Sequence, residues 1–210
     1  MELVHTKIPR EFLDRLPEGM KFIHRHGQEF LVVEEIFCSK GHSLMSDSVR
    51  IHGEPSIRIA VGRPDIETAD EAERGPGTQT TAGAGDAEAP PAGRGLIFVD
   101  AFWGSHAKLY SFFPQTGCAD YVVDAHCPQC GVSMMVKRPC GRDECDGDEG
   151  IQFFLPGENN SVTVCAKLGC PDHELLVRGL PSDALEAVSE INFFGHGFYG
   201  EDDDSEMGGI

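Results

Sequence analysis

The chain has 210 residues, enough for one substantial core with or without an appended metal module and too few for a large multidomain enzyme. Its formal charge is −18, from 17 Lys and Arg against 35 Asp and Glu, and the excess is not confined to tails: residues 1–62 carry 9 acids to 8 bases and residues 95–200 carry 14 to 6. Neutralising phosphates requires clustered cations, so no nucleic-acid partner is expected, and the acid reads as a solubilising surface.

The opening, MELVHTKIPREFLDRL, has no basic stretch followed by an apolar one, as a secretory leader would. The best apolar run, Gly95 to Trp103, is broken by Asp100 and falls well short of the roughly 20 residues that span a bilayer. A cytoplasmic protein without a membrane partner is expected. In that reducing compartment eight cysteines read as metal ligands or free thiols before they read as disulfides.

In chain order, a short amphipathic helix is expected from Pro9 to Leu16, with Pro suited to its first turn. His24-Arg25-His26 reads as a polar turn before Gly27 rather than a two-histidine metal strand. Glu29 to Phe37 (EFLVVEEIF) reads as a strand closing on Cys38, and Ser56 to Val61 (SIRIAV) alternates as another. From Glu67 to Gly95 there is no Leu, Ile, Val, Met, Phe, Tyr or Trp, a composition that cannot bury enough apolar surface to offset the entropy of ordering. Residues 63–94 are therefore expected to be a disordered insertion. A long loop adds slowly to closure cost, so SIRIAV and Leu96 to Val99 (LIFV) on its flanks are candidates to pair in one sheet.

After the insertion come GLIFVDAFW, AKLYSFF, ADYVVDAH, VSMMVKR, IQFFL and SVTVC, short segments rich in β-branched and aromatic residues between Gly, Pro, Asn and Asp. Ser182 is placed to cap a helix whose apolar positions are Ala184, Leu185, Val188 and Ile191. Residues 201–210 form an acidic tail expected to be disordered. The fold class that follows is mainly β, α+β at most: an antiparallel meander with zinc-ribbon-like knuckles and short helices near both ends. Residues 1–62 and 95–200 would then make one β-rich metal-binding domain.

Six of the eight cysteines fall between Cys127 and Cys170. Cys127-Pro-Gln-Cys130-Gly131 is a Cys-x2-Cys knuckle, in which a tight turn aims two thiolates at one point and Gly131 can take a backbone angle that bulkier residues resist. It resembles half of a zinc ribbon or of a rubredoxin-type site, which implies two further ligands from elsewhere. The candidates are Cys140 with Cys145, Cys165 with Cys170 and the nearby His173, and Cys38 with His42. Sulfur and imidazole in tetrahedral sets favour zinc, with iron the competing metal.

Strand parity suggests how they divide. If VSMMVKR runs away from the knuckle, IQFFL returns and SVTVC runs out again, then Cys140, Cys145, Cys165 and Cys170 meet at the far end, with His173 able to replace one thiolate. The knuckle is left to Cys38 and His42. The competing division wraps Cys127, Cys130, Cys140 and Cys145 locally and leaves Cys165, Cys170 and His173 to Cys38 or His42. Cys118 reads as a small buried hydrophobe.

No nucleophile elbow, H-E-x-x-H, P-loop or G-x-G-x-x-G is present, and the acidic run Asp143 to Glu149 lacks calcium-loop spacing. The expected function is a non-catalytic protein holding about two structural zinc ions and docking on a protein partner. The alternatives are an iron-binding electron carrier, rubredoxin-like or with an iron–sulfur cluster, and an enzyme with an open zinc site.

Overall fold

The computed structural model describes residues 10–25, 28–62, 94–105, 107–111 and 121–191. The expected insertion, apart from Arg94, the acidic tail, Cys118, His26 and His106 lie outside those residues. Among the described residues no helix is long and apolar enough to cross a membrane.

The chain is mostly strand, in antiparallel sheets, as its alternating short segments require. Helix α1 (Arg10–Leu13) is shorter than expected and buries Phe12 completely. Strands β1 (Met20–Arg25) and β2 (Gln28–Val33) form a hairpin. His24 thus lies on a strand, not in a turn. On β2, Leu31 and Val33 enter the main core, while Phe30 and Val32 pack with Ala101 and Phe102. β2 ends before the expected Phe37 because the N–H groups of Glu34 and Glu35 both turn to the carbonyl of Gly19. Gly19 has φ +84°, and a Cβ there would stand 2.5 Å from Pro156.

A second sheet is the meander β3 (Met45–Ile51), β4 (Glu54–Gly62), β5 (Arg94–Val99) and β6 (Lys108–Tyr110). The β3–β4 turn is His52-Gly53, both at positive φ, the two-residue geometry that matches strand twist. The flanks of the insertion pair from Ile57 with Val99 to Gly62 with Arg94. Among the described residues of the segment ADYVVDAH, only β7 (Ala125–His126) is a strand, against β4. It is short because the chain changes partners: the N–H of Val123 bonds Ala166, and two residues later Ala125 lies opposite Val61.

The third sheet is the meander β8 (Met135–Lys137), β9 (Glu149–Phe154), β10 (Ser161–Cys165) and β11 (His173–Leu176). Alternate residues of β4 and β5 (Ile57, Ile59, Ile97) and of β9 and β10 (Ile151, Phe153, Val162) share one core. Helix α2 (Ser182–Ser189) adds Ala184, Leu185 and Val188 as buried residues, and Ile191 is buried just beyond it. Ser182 does not cap it. The N-cap is Pro181, with no side-chain capping bond, so Ser182 is the first helical residue.

Because Gly62 and Arg94 are register partners, replacing residues 65–91 with a four-residue Gly/Asn linker should leave folding intact. The shorter loop should raise stability by about 2 kcal/mol or less. Thermal unfolding checks this: one cooperative transition at or above the parent's is expected, and a split or lost transition would show that the two flanks do not form one folding unit.

Candidate metal centres

β8, β9 and β10 set the geometry. Lys137 at the end of β8 pairs with Glu149, and Cys165 at the end of β10 pairs with Gly150, so both strands finish at one end of the sheet. The Cys140 N–H bonds the carbonyl of Gly147, closing the loop that carries Cys145. At the other end Phe154 exchanges two backbone hydrogen bonds with Phe37, 2.8 and 2.9 Å, which delivers Cys38 beside the knuckle. Gln129 completes that junction by donating from Nε2 to the carbonyl of Ser43 at 3.0 Å.

The result is two groups of four donors, Cys38, His42, Cys127 and Cys130 at the near end and Cys140, Cys145, Cys165 and Cys170 at the far end. Within each group all ligand atoms lie within 4.8 Å of one another. The closest separations are Cys38 Sγ to His42 Nδ1 at 3.5 Å and to Cys130 Sγ at 4.0 Å, Cys140 to Cys170 at 3.6 Å, and Cys145 to Cys165 at 3.9 Å. Thiolates about 2.3 Å from a tetrahedral metal stand about 3.8 Å apart, so both groups have the dimensions to hold one ion each. The grouping is the parity division, not the local wrap of residues 127–145.

Backbone donors reinforce the match. The N–H of Lys40 donates to the Cys38 sulfur at 3.4 Å, and the N–H groups of Gln129, Arg142, Gly147, Lys167 and Asp172, each two positions past a cysteine, favour the ionised forms of Cys127, Cys140, Cys145, Cys165 and Cys170. An N–H aimed at sulfur favours the thiolate, the form that binds metal. The turn at the knuckle needs Gly131 at φ +67°, as anticipated, and Gly41 has φ +79° between Cys38 and His42.

Burial opposes ionisation. It pushes Cys127, Cys165 and Cys170 up to about 11 and Cys140 to about 12, despite these N–H groups. Burial also acts on Cys38, but the N–H groups of Lys40 and His42 and the His42 ring outweigh it and bring the thiol down to about 7. The Gly147 N–H, the largest influence on Cys145, holds that thiol below its ordinary value. A cation shared by each group is the natural compensation for thiolates placed this close.

Side chains beyond the sulfurs brace the far group. Arg138 bonds Asp172 at 2.6 Å and Glu174 at 2.9 Å, tying the approach to Cys140 to the segment after Cys170. Lys167 pairs with Asp146, joining the loops of Cys165 and Cys145; Asp146 is exposed, so that link contributes little.

His173 stands outside both groups. It opens β11 opposite Val164, its Nδ1 lies 3.0 Å from the carbonyl of Pro171, and its buried ring meets Trp103 edge-on at 4.9 Å. Burial lowers its pKa, favouring a neutral core imidazole. The chain matches no protein-family model, no curated protein and no solved structure.

Replacing Asp172 by Asn removes the charge that holds Arg138. A chelator competition should show the far group's metal affinity reduced by about 10- to 100-fold with the near group unchanged. Equal affinity in variant and parent would show that the Arg138 brace does not position Cys170.

Proposed function

We propose that this chain is a non-catalytic zinc protein whose two structural centres hold its sheets in register and present a rigid surface to a protein partner. The carrying observation is the gathering of eight sulfur and imidazole donors into two closed sets of tetrahedral dimensions. The near centre would use Cys38, His42, Cys127 and Cys130, and the far one Cys140, Cys145, Cys165 and Cys170. Four protein donors leave no coordination position for substrate water, which favours a structural role over hydrolysis. Imidazole in the near set and thiolate in both suit zinc, and a reducing compartment such as the cytoplasm keeps the sulfurs available. Metal-ligand bonds of this kind stabilise small β structures directly.

An all-thiolate far set is equally a rubredoxin-type ligand set, so iron is the specific rival. Metal analysis and an absorption spectrum separate them. Two zinc ions per colourless chain are expected, and intense visible charge-transfer bands would replace the structural reading by electron transfer. Changing Cys127 and Cys130 together to Ser should release one ion and destabilise the fold severely; changing Cys140 and Cys170 should release the other. Full metal content in either double variant would overturn that centre.

pH gives an independent check. Without metal, Cys140, Cys165 and Cys170 hold their protons at neutral pH, since burial raises all three thiols to about 11 or 12. Binding must expel those three protons. Apparent affinity at the far centre should therefore fall by about a thousandfold or more for each unit of acidification, measured with a buffered chelator. A pH-independent affinity would contradict thiolate ligation there.

A further inference from the structure

Between the second and third sheets lies a cavity of about 110 Å³ that the metal centres do not explain. Ile57, Ile59 and Ile97 form one wall and Phe153, Val162 and Val164 the other, with Trp103 also lining it. A core closes such space when it can, because void-lining atoms forfeit dispersion contacts. Lys108 of β6, Trp103 and the segment after β10 complete the lining. An apolar cavity of about 150 Å³ admits the six carbons of benzene, so this smaller one has room for a compact body of about four carbons.

The polar part of the wall decides the ligand's charge. Asp100 is held by His52 at 2.7 Å and by the Ser105 hydroxyl at 2.6 Å, Asp172 by Arg138, and Lys167 by Asp146. Lys108, desolvated in the same wall, donates from Nζ to the carbonyl of Leu168 at 3.1 Å and lies in the field of Cys170. A cation would find both carboxylates engaged, and an anion would have to leave water and compete for an ammonium already held by the Leu168 carbonyl and by the field of Cys170, so either would disturb these contacts. A neutral ligand keeps them all. Lys108 places its N–H groups within the same wall, where a single oxygen on such a ligand can be met.

We infer that the space between the sheets is a binding site for a small neutral amphiphile, a branched or cyclic hydrocarbon body of about four carbons bearing one hydroxyl or carbonyl oxygen. Cys165 and Cys170 form part of the same wall, so an occupant sits directly behind the far centre. The site itself does not depend on which metal that centre holds.

Trp103 is the single tryptophan of the chain and lines the cavity, so its emission reports occupancy. The full-length protein as purified is titrated with 2-methylpropan-1-ol and, separately, with 2-methylpropanoate at neutral pH. Saturable change with the alcohol, at least about tenfold tighter than with the acid, is expected. Ile97→Phe, which fills the space, should abolish it while metal content stays that of the parent. Should that variant not fold, methyl resonances of the parent decide: alcohol-induced shifts must concentrate at Ile59, Ile97, Val162 and Val164. Absence of saturation, equal binding of the acid, or shifts scattered over the surface would overturn the assignment.

Discussion

The two backbone hydrogen bonds exchanged by Phe37 and Phe154 are the junction on which the rest of the architecture depends. They fasten the segment after β2 to the end of β9, and so set Cys38 and His42 beside a knuckle that begins 85 residues beyond His42. From that fixed point β9 acts as a ruler. Its pairing with β8 on one side and β10 on the other sends Cys140, Cys145, Cys165 and Cys170 to the opposite end. The two donor groups are therefore not local motifs. They are consequences of one register, and a one-residue slip would turn every side chain of the shifted strand to the other face.

Much of this was legible because strands alternate and meanders reverse direction. The β-branched runs SIRIAV and LIFV announced a ladder across the insertion, and they pair from Ile57 to Gly62. Counting reversals through VSMMVKR, IQFFL and SVTVC was enough to bring the four far cysteines together. Gly131 carried its own signal, since a knuckle turn asks for positive φ at that place. What stayed hidden lacked a local pattern. MKFIHR puts Lys21 and Arg25 on one face and His24 on the other, so the end of β1 read as a polar turn, and β3 begins Met-Ser-Asp-Ser, without the β-branched density that marks a strand. The short length of β7 follows from a change of partner between sheets, which no window of sequence records.

His173 illustrates a different limit. Its closeness in sequence to Cys170 made it a natural ligand candidate, and only the tertiary fold separates the two. Cys170 points to the sulfur group, whereas the imidazole three residues on turns against Trp103 in the core. The same Trp103 donates from its indole Nε1 to the carbonyl of Val188, tying α2 to this corner. The far donor group, the core histidine, the tryptophan and the cavity thus share one region. Occupancy of the cavity and integrity of the far centre would be felt through the same few side chains.

Which atoms bind metal is tested most directly by X-ray absorption at the zinc edge of the full-length protein. Seven cysteines and one histidine over two ions predict an average shell of sulfur at about 2.3 Å with a minor nitrogen contribution at about 2.0 to 2.1 Å, in a seven-to-one ratio. A shell dominated by oxygen or nitrogen, or a protein that carries no zinc at all, would contradict it.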